Sequence, residues 1–210
     1  MILTTGAEGF LLSNLLKELD IENVDHLNIK ELDKFNPNNY DKITEVYHFA
    51  FPSSSDEWEE KLTKSLDQSL SFVRSFENFQ DSKNVKFIFA SSMAVDELIK
   101  TQKFDSNNFQ DLYAGYKAIL EYAVTTIFDD VIILRIPRVY GKDRNKGLLK
   151  KLREGTFIGD KTKVIEYMDI NDWVSETKDF LKNHKSPSIS FPEYKNTQIK
   201  TIEEIERIYV

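Results

Sequence analysis

A series of short apolar runs, separated by segments with a helical pattern, is the feature that most constrains the fold of this chain. The runs lack the alternation of polar and apolar residues that marks a strand with one face in water, so they are typical of strands covered on both faces. Buried strands that alternate with helices pair in parallel and form a doubly wound α/β fold. The clearest predicted strands span residues 1–5, 45–50, 86–90 and 131–136.

Helices are predicted where apolar residues recur at intervals of three and four. They span residues 9–19, 57–78, 111–128, 148–153, 171–183 and 201–208, and weaker strand patterns cover 24–28, 164–168 and 188–191. The polar stretch between residues 28 and 45 has little room for a full helix, so we expect one strand–helix unit to be reduced or lost. The basic segment after residue 141 predicts a main domain, 1–141, and a short lobe, 142–210, that is not an independent domain.

The net charge of −7 and the absence of cysteine narrow the possible functions. An acidic chain does not attract nucleic acid or an anionic membrane, so neither partner is expected. Disulfide and thiolate chemistry are excluded, and the three histidines stand too far apart in sequence to predict a metal site. No apolar run approaches the roughly 18 residues of a membrane span, and the first residues lack the pattern of a signal peptide. The simplest interpretation is a cytoplasmic protein.

Two glycines, Gly6 and Gly9, follow the first predicted strand and open the first predicted helix. In a doubly wound fold this turn faces the ligand crevice, where backbone N–H groups at the helix start bind a pyrophosphate. Many α/β proteins place glycine here for steric reasons alone, and the spacing does not separate the two interpretations. Leu12 stands where a dinucleotide-binding loop usually carries a third glycine. We expect it either to push the helix outward or to fill the site.

Tyr113 and Lys117 are four residues apart on a predicted helix, so they share one of its faces. A lysine ammonium beside a phenol favours the phenolate, which makes tyrosine a usable acid or base near neutral pH. Ser91 and Ser92 follow a buried strand, and a hydroxyl at that end of a parallel sheet points into the binding crevice. Each feature also has a purely structural interpretation. The tyrosine and lysine can be ordinary surface residues of an amphipathic helix, and the serines can cap a helix or form a turn.

The order of these features resembles the short-chain dehydrogenase/reductase superfamily, in particular its extended branch of NAD-dependent nucleotide-sugar epimerases, dehydratases and reductases. The matching stretches span about residues 1–141 and are TTGAEGFLLSNLL, VYHFAFPSS, FIFASSMAV, YAGYKAILE and LRIPRVYG. A looser match continues through YMDINDWV. The resemblance implies a Rossmann fold with a reduced C-terminal lobe, NAD as cofactor with NADP not excluded, and a nucleotide sugar as substrate.

The resemblance also implies roles for individual residues. Tyr113 would be the catalytic acid/base, Lys117 would lower its pKa and hold the nicotinamide ribose, and Ser92 would orient the substrate oxygen. The other implied cofactor contacts are Gly6, Glu8, Gly9, Phe10, Leu11, Asn28, Phe49, Ala50, Phe51, Ala90, Pro137 and Val139. The other implied substrate contacts are Met93 and Arg138. Arg138 replaces a common asparagine of this group, and it either grips a phosphate or carboxylate or is an ordinary surface arginine.

Several positions depart from the family pattern. Asn28 replaces the acidic residue that would bind the adenosine ribose, and Met93 and Ala94 replace the acidic pair of a sugar dehydratase. We therefore rank dehydration below epimerisation or reduction. The short segment after residue 141 predicts a substrate pocket that is small, shared with a partner subunit or incomplete. The resemblance implies a homodimer built on the helix that carries Tyr113, although the apolar residues of that helix are equally explained as core.

Three functions remain open from the sequence. The first is an NAD(P)-dependent epimerase or reductase of a nucleotide-activated sugar, favoured by the set of Ser92, Tyr113 and Lys117. The second is a Rossmann-fold binding or regulatory protein that has lost efficient turnover, favoured by Leu12, Asn28 and the short C-terminal lobe. The third is a reductase of a small carbonyl compound, which needs little substrate lobe.

Overall fold

The computed structural model describes residues 1–21, 24–40, 42–52 and 58–210. Its strands are β1 (Ile2–Thr5), β2 (Val24–Leu27), β3 (Glu45–His48), β4 (Lys86–Ser92), β5 (Asp130–Ile136), β6 (Val139–Tyr140), β7 (Val164–Asp169), β8 (Ile189–Ser190) and β9 (Thr197–Thr201). Its α-helices are α1 (Phe10–Leu19), α2 (Trp58–Arg74), α3 (Ala94–Thr101), α4 (Phe109–Ile127), α5 (Gly147–Arg153), α6 (Ile170–Asn183) and α7 (Ile202–Tyr209). Residue 57, the predicted start of the second helix, lies outside the described residues.

Six parallel strands form the main sheet, in the order β2-β1-β3-β4-β5-β8. The first strand is central to one half of it, because Ile2 lies opposite Val24 on one side and Glu45 on the other. The longest pairing joins β4 to β5 and ends with Ser92 opposite Ile136. The sheet confirms the predicted doubly wound fold, and it brings the carboxyl ends of its strands to one edge.

Helices cover both faces of the main sheet. On one face α2 and α4 pack together over a core that contains Phe72 and Leu120. On the other face α1 packs against α6, and Leu12, Leu15 and Trp173 lie between these helices and the sheet. All five side chains are inaccessible to solvent. The two apolar layers explain why the predicted strands carry no polar alternation.

The described residues of the connection between β2 and β3 contain no full strand–helix unit. They form only two short 3-10 turns, Ile29–Lys34 and Pro37–Asn39, so β3 pairs directly with β1. Leu32 and Phe35 from this connection cover the core, and the Phe35 ring centroid lies 4.9 Å from that of Phe72. The expectation of a reduced unit between residues 28 and 45 is confirmed.

A second sheet, in the order β6-β7-β9, stands beside the main one and is not predicted by the sequence. β7 pairs in parallel with β6 and antiparallel with β9. Its core contains three packed tyrosines: the ring centroids of Tyr140 and Tyr167 are 5.3 Å apart, and Tyr209 of α7 packs across both. The Tyr209 hydroxyl donates a hydrogen bond of 2.8 Å to Asp169. Within the described ranges, no helix combines the length and apolar character needed to cross a membrane.

Candidate active site

A cavity of about 470 Å³ opens at the carboxyl edge of the main sheet. It is bounded by the turn after β1, the residues after β3, the end of β4, one face of α4 and the connection from β5 to β6. Ligands of open α/β sheets bind at this edge. The cavity wall includes Ser92, Tyr113 and Lys117, the three residues that the sequence suggested for catalysis.

The turn between β1 and α1 has a conformation that requires glycine. Gly6 has a φ of +76°, and a Cβ atom at this residue would lie 2.8 Å from the backbone nitrogen of Ala50. The N–H of Gly9 donates a hydrogen bond of 2.9 Å to the Gly6 carbonyl and closes the turn. In the part of the chain that the structure describes, no side chain caps the start of α1. The first N–H groups of the helix are therefore available to an anion in the cavity.

Leu12 is accommodated in the core. Its side chain is inaccessible to solvent and belongs to the apolar cluster that contains Leu15, Tyr47 and Ile88. The residue also contributes to the wall of the 470 Å³ cavity, which remains open in front of α1. The expectation that Leu12 fills the site is therefore not met: the cavity persists beside it.

Lys117 lies at the floor of the cavity with its ammonium group surrounded by aromatic rings. Its Nζ atom donates a hydrogen bond of 2.6 Å to the Ala90 carbonyl. The same atom lies 4.2 Å from the ring centroid of Phe51 and 4.8 Å from that of Phe89. Burial lowers the pKa of Lys117 to about 7, against the opposing charge of Glu121. The ammonium is therefore easily neutralised near physiological pH.

Tyr113 lies one helical turn before Lys117 on α4, as the sequence spacing predicts. The helix begins after Asn108, whose side chain accepts hydrogen bonds from the first-turn N–H groups and fixes the start of α4. The Tyr113 ring packs between Phe51 and Phe109, each at a centroid distance of 5.8 Å. Burial raises the pKa of the Tyr113 phenol to about 12, and the charge of Arg144 opposes that rise.

Ser92 ends β4 on the cavity wall. Its hydroxyl oxygen accepts a hydrogen bond of 3.2 Å from the Ala94 N–H, at the start of α3. The neighbouring Ser91 also lines the cavity, but its hydroxyl donates to the buried carboxylate of Glu121. The two serines differ in this way because side chains alternate between the two faces of a strand.

Most of the residues implied as binding contacts line the cavity. Those on its wall are Gly6, Glu8, Gly9, Phe10, Leu11, Phe49, Phe51, Ala90, Pro137, Arg138 and Val139. Asn28, Ala50 and Met93 are not on it. Asn28 follows β2, Ala50 lies directly behind Gly6, and the Met93 N–H donates to the Ile136 carbonyl. The binding roles of all these residues stay predictions.

Arg144 is a wall residue that sequence reasoning missed. It lies after β6 with its guanidinium 5.4 Å from the ring centroid of Phe10. Burial lowers its pKa, and the described part of the chain offers it no carboxylate partner. The only signal was the basic run that contains it, KDRNKGLLKKLREG, which resembled a linker.

A second cavity of about 620 Å³ adjoins the first on the side of the second sheet. Arg138 and Arg144 line both cavities. Lys150 and Lys151 of α5 add two further cations to the second, while Glu154 is its one acidic group among the described residues. The second cavity is therefore suited to an anionic ligand.

The parallel sheet, the glycine turn after its first strand and the cavity at its carboxyl edge define an α/β protein of the Rossmann class. Within that class, the chain belongs to the NAD dependent epimerase/dehydratase family, whose model matches residues 2–187. A search of curated proteins found no match to the chain.

Solved structures of sugar-nucleotide enzymes share this fold. TunA, an NAD dependent NDP-hexosamine 5,6-dehydratase of tunicamycin biosynthesis, has a TM-score of 0.75 and 20% identity over 99% of this chain and 79% of that chain. The UDP-glucose 4-epimerase of Thermus thermophilus, solved with NAD, has a TM-score of 0.68 and 18% identity over 98% of this chain and 81% of that chain. A dTDP-4-dehydrorhamnose reductase of Clostridium acetobutylicum has a TM-score of 0.67 and 18% identity over 98% of this chain and 78% of that chain.

Proposed function

We propose that this protein is an NAD(P)-dependent epimerase or reductase that acts on a nucleotide-activated sugar. The observation that carries the proposal is the meeting of Tyr113, Lys117 and Ser92 in one cavity with the glycine turn of β1 and α1. An acid/base phenol and a phosphate-binding turn on one cavity wall are the parts that this chemistry requires.

The glycine turn fits a dinucleotide. A side chain at Gly6 would collide with the backbone of Ala50, so glycine permits the tight turn that places the uncapped start of α1 on the cavity wall. From there the cavity extends to Pro137 and Val139 beside Tyr113. When bound, NAD or NADP supplies hydride exchange at its nicotinamide. We favour NAD, because no arginine stands beside Gly6 and Gly9 in the sequence to hold a 2′-phosphate.

The residues of this chain control the proton and the orientation of the substrate. Tyr113 donates its hydroxyl proton to the substrate oxygen in reduction and accepts a proton from the substrate hydroxyl in oxidation. Ser92 offers a hydroxyl to the same oxygen. Lys117 lies on the cofactor side of the cavity. When its buried ammonium group is charged, it favours the phenolate form of Tyr113.

The second cavity supports a nucleotide diphosphate as the other part of the substrate. Arg138 is exposed on the boundary between the two cavities, with Lys150 and Lys151 beyond it. Guanidinium and ammonium groups bind phosphate oxygens, so these cations would hold the diphosphate while the sugar enters the first cavity. The Phe157 side chain on the same wall offers an apolar surface to the base.

Isothermal titration calorimetry with NAD⁺ and NADP⁺, followed by product analysis with UDP- and dTDP-sugars, tests the proposal. We expect Tyr113→Phe to keep cofactor binding and to lose turnover by about 10²-fold or more. Tyr122→Phe is the matched control, since Tyr122 lies on the same helix and is 74% exposed. It should keep both properties. No binding of either cofactor at millimolar concentration contradicts the proposal.

A binding or regulatory protein with weak turnover is the second candidate. The observation that favours it is the bond between Lys117 and the Ala90 carbonyl, which directs the ammonium at the backbone. Cofactor binding without turnover of any nucleotide sugar would support this candidate. Reduction of small aldehydes or ketones alone would instead support a small-carbonyl reductase.

We also propose a homodimer formed through α4. Ile119 and Tyr122 are 47% and 74% exposed on this helix, which leaves apolar surface beside the α2 and α4 pair. Sedimentation velocity of the wild type and of Ile119→Asp tests it. A dimer that the aspartate dissociates is expected, and a wild-type monomer at all concentrations would rule it out.

We propose, finally, that residues 142–210 do not fold alone. Within them, β8 pairs with β5 of the main sheet and α6 packs against α1. A fragment that begins at residue 142 should show no cooperative unfolding transition by circular dichroism. A cooperative transition would make the segment an independent domain.

A further inference from the structure

The ammonium group of Lys117 lies in a place with few polar partners. Among the described residues, its one hydrogen bond is the 2.6 Å bond to the Ala90 carbonyl, and no carboxylate forms an ion pair with it. An ammonium carries three N–H donors, so a single acceptor leaves much of its charge without a polar partner. The residue is 2% exposed, so bulk water contributes little. Something else must stabilise the charged form of Lys117.

The charged and titratable groups around Lys117 give it only limited support. Glu121, one turn further along α4, raises the pKa of Lys117, but its carboxylate accepts two hydrogen bonds from Arg135. His48 of β3 is neutral at physiological pH, because burial lowers its pKa to about 3. Tyr113 is also neutral, because burial raises its pKa to about 12. The other charged side chains on the cavity wall are Glu8, Lys17, Arg138, Asp143, Arg144 and Lys146.

Two aromatic rings contact the ammonium where polar partners are missing. The Lys117 Nζ atom lies 4.2 Å from the ring centroid of Phe51 and 4.8 Å from that of Phe89. Both distances are within the range of about 6 Å in which the face of a ring attracts a cation, and this attraction is stronger where water is excluded. Phe89 belongs to the buried core, whereas Phe51 is half-buried and lines the cavity. The closer ring is therefore also the one that belongs to the candidate site.

The backbone after β3 holds the Phe51 ring in this position. The Phe51 N–H donates a hydrogen bond of 2.9 Å to the Phe49 carbonyl, and the Phe49 N–H donates one of 3.0 Å to the Thr5 carbonyl at the end of β1. The Phe51 ring also packs against the ring of Tyr113, at a centroid distance of 5.8 Å and an interplanar angle of 64°. Phe51 therefore contacts both Tyr113 and Lys117 from a separate part of the fold.

We propose that Phe51 is a positioning residue of the candidate active site, in which the face of its ring stabilises the charged ammonium of Lys117 beside Tyr113. The inference rests on the proposed function for the role of the Tyr113 and Lys117 pair. It gives Phe51 an electrostatic part in the site, which differs from the cofactor contact that the family resemblance implies.

Titration of Lys117 by NMR tests the inference without substrate or cofactor. The protein is labelled with lysine that carries ¹³C at Cε, whose chemical shift reports protonation of Nζ. The Lys117 signal is the one that is missing from Lys117→Met and from Lys117→Arg. In Phe51→Leu we expect the ratio of charged to neutral Lys117 at a given pH to fall about threefold to tenfold, which equals a downward pKa shift of about one half to one unit. Phe51→Tyr keeps the ring face and should restore most of the ratio.

Phe49→Leu is the matched control. Phe49 lines the same cavity two residues earlier, but its ring packs against Trp173 at a centroid distance of 6.4 Å. Its replacement should leave the titration of Lys117 unchanged. Water that entered the space left by a smaller side chain would hydrate the ammonium and raise the pKa of Lys117, so loss of bulk and loss of the ring face have opposite signs.

A trifluorinated phenylalanine at residue 51 provides a second measurement, because fluorine withdraws negative charge from the ring face while the ring stays in place. The pKa of Lys117 should fall as it does in Phe51→Leu. An unchanged or raised pKa in Phe51→Leu, an unchanged pKa with the fluorinated ring, or an equal fall in Phe49→Leu overturns the inference. Cofactor binding together with an unaltered titration would overturn this inference alone. A shifted titration without cofactor binding would overturn only the proposed function.

Discussion

Glu121 of α4 accepts two hydrogen bonds from the guanidinium of Arg135 on β5, of 3.1 and 2.6 Å. The same buried carboxylate accepts the Ser91 hydroxyl of β4, and Arg135 also pairs with Asp96 of α3. Because Glu121 lies one turn beyond Lys117, this network joins the helix that carries Tyr113 to the strand that ends in Ser92. The network stabilises the relative positions of the candidate catalytic groups.

We expect Glu121→Ala to lower the free energy of unfolding by about 3 kcal/mol, because it leaves the largely buried Arg135 without its main partner. Urea denaturation followed by circular dichroism measures this change. Asp96→Ala is the control, since its side chain is 51% exposed and its bond to Arg135 should contribute less than about 1 kcal/mol. Equal losses of unfolding free energy in the two variants would show that the buried Glu121–Arg135 pair contributes no more than the exposed Asp96–Arg135 pair.

Gly6→Ala should destabilise the fold by more than the strain of its backbone conformation alone. Gly155 provides the comparison, because its φ of +65° is similar but a Cβ atom there meets nothing within 4 Å. Gly155→Ala is expected to cost about 1 kcal/mol. Gly6→Ala should cost about 1–3 kcal/mol more, because its Cβ would lie 2.8 Å from the Ala50 nitrogen. Thermal and urea unfolding of the two variants would reveal the difference, and similar losses would contradict it.

His48 is buried in its neutral form and should make stability depend on pH. Burial lowers its pKa to about 3, with the charge of Lys117 acting in the same direction. The unfolded chain binds a proton at this histidine below about pH 6.5 while the folded chain does not. Neutral His48 therefore contributes fully to the free energy of unfolding above about pH 6.5. This contribution decreases by about 1.4 kcal/mol per pH unit as pH falls toward 3. Urea unfolding between pH 7 and 4 should show this slope, and His48→Phe should flatten it.

Asp130 should add a separate loss of stability at lower pH. Burial disfavours its charged form, but hydrogen bonds from His184, Ser186 and Ser188 outweigh burial and hold its pKa below the usual range. Its stabilising contribution is present above the unfolded value of about 3.9 and disappears as pH falls through the lower folded value. Asp130→Asn should reduce the dependence below about pH 4.

Asp129→Asn is the neighbouring control for Asp130, because Asp129 is 56% exposed and pairs with Lys83 on the surface. It should leave the acid profile nearly unchanged. A steep loss below pH 4 that persists in Asp130→Asn would assign the acid sensitivity to other carboxylates.

The sequence predicts the central strands of the main sheet well because these strands carry their own apolar signal. The strands from Lys86 and Asp130 are buried on both faces, and this burial is visible as the consecutive apolar residues Phe87–Ala90 and Val131–Leu134. The helix α3 escaped prediction because only Val95 of its eight residues is buried. The strand β6 has two residues and β9 is largely polar, so neither produces a periodic pattern.

The candidate site shows the same limit. The spacing of Tyr113 and Lys117 on one helix is a local property, and the structure places both on the cavity wall. The contributions of Arg144 and Glu121 depend on contacts with distant parts of the chain, since Glu121 meets Ser91 thirty positions away. The sequence shows that Leu12 replaces a glycine, but it does not show where the side chain goes. That depends on packing, because the space between α1 and the sheet decides whether the Leu12 side chain enters the crevice.

The lengths of the two edge strands of the main sheet affect how the molecule meets its neighbours. The main sheet ends in the four residues of β2 on one side and the two residues of β8 on the other. Edge strands of this length offer few unpaired backbone amides to another chain. The His26 side chain on β2 is itself hydrogen-bonded to the Thr4 hydroxyl. The short edge strands thus limit the exposed backbone through which two copies of the sheet could join edge to edge.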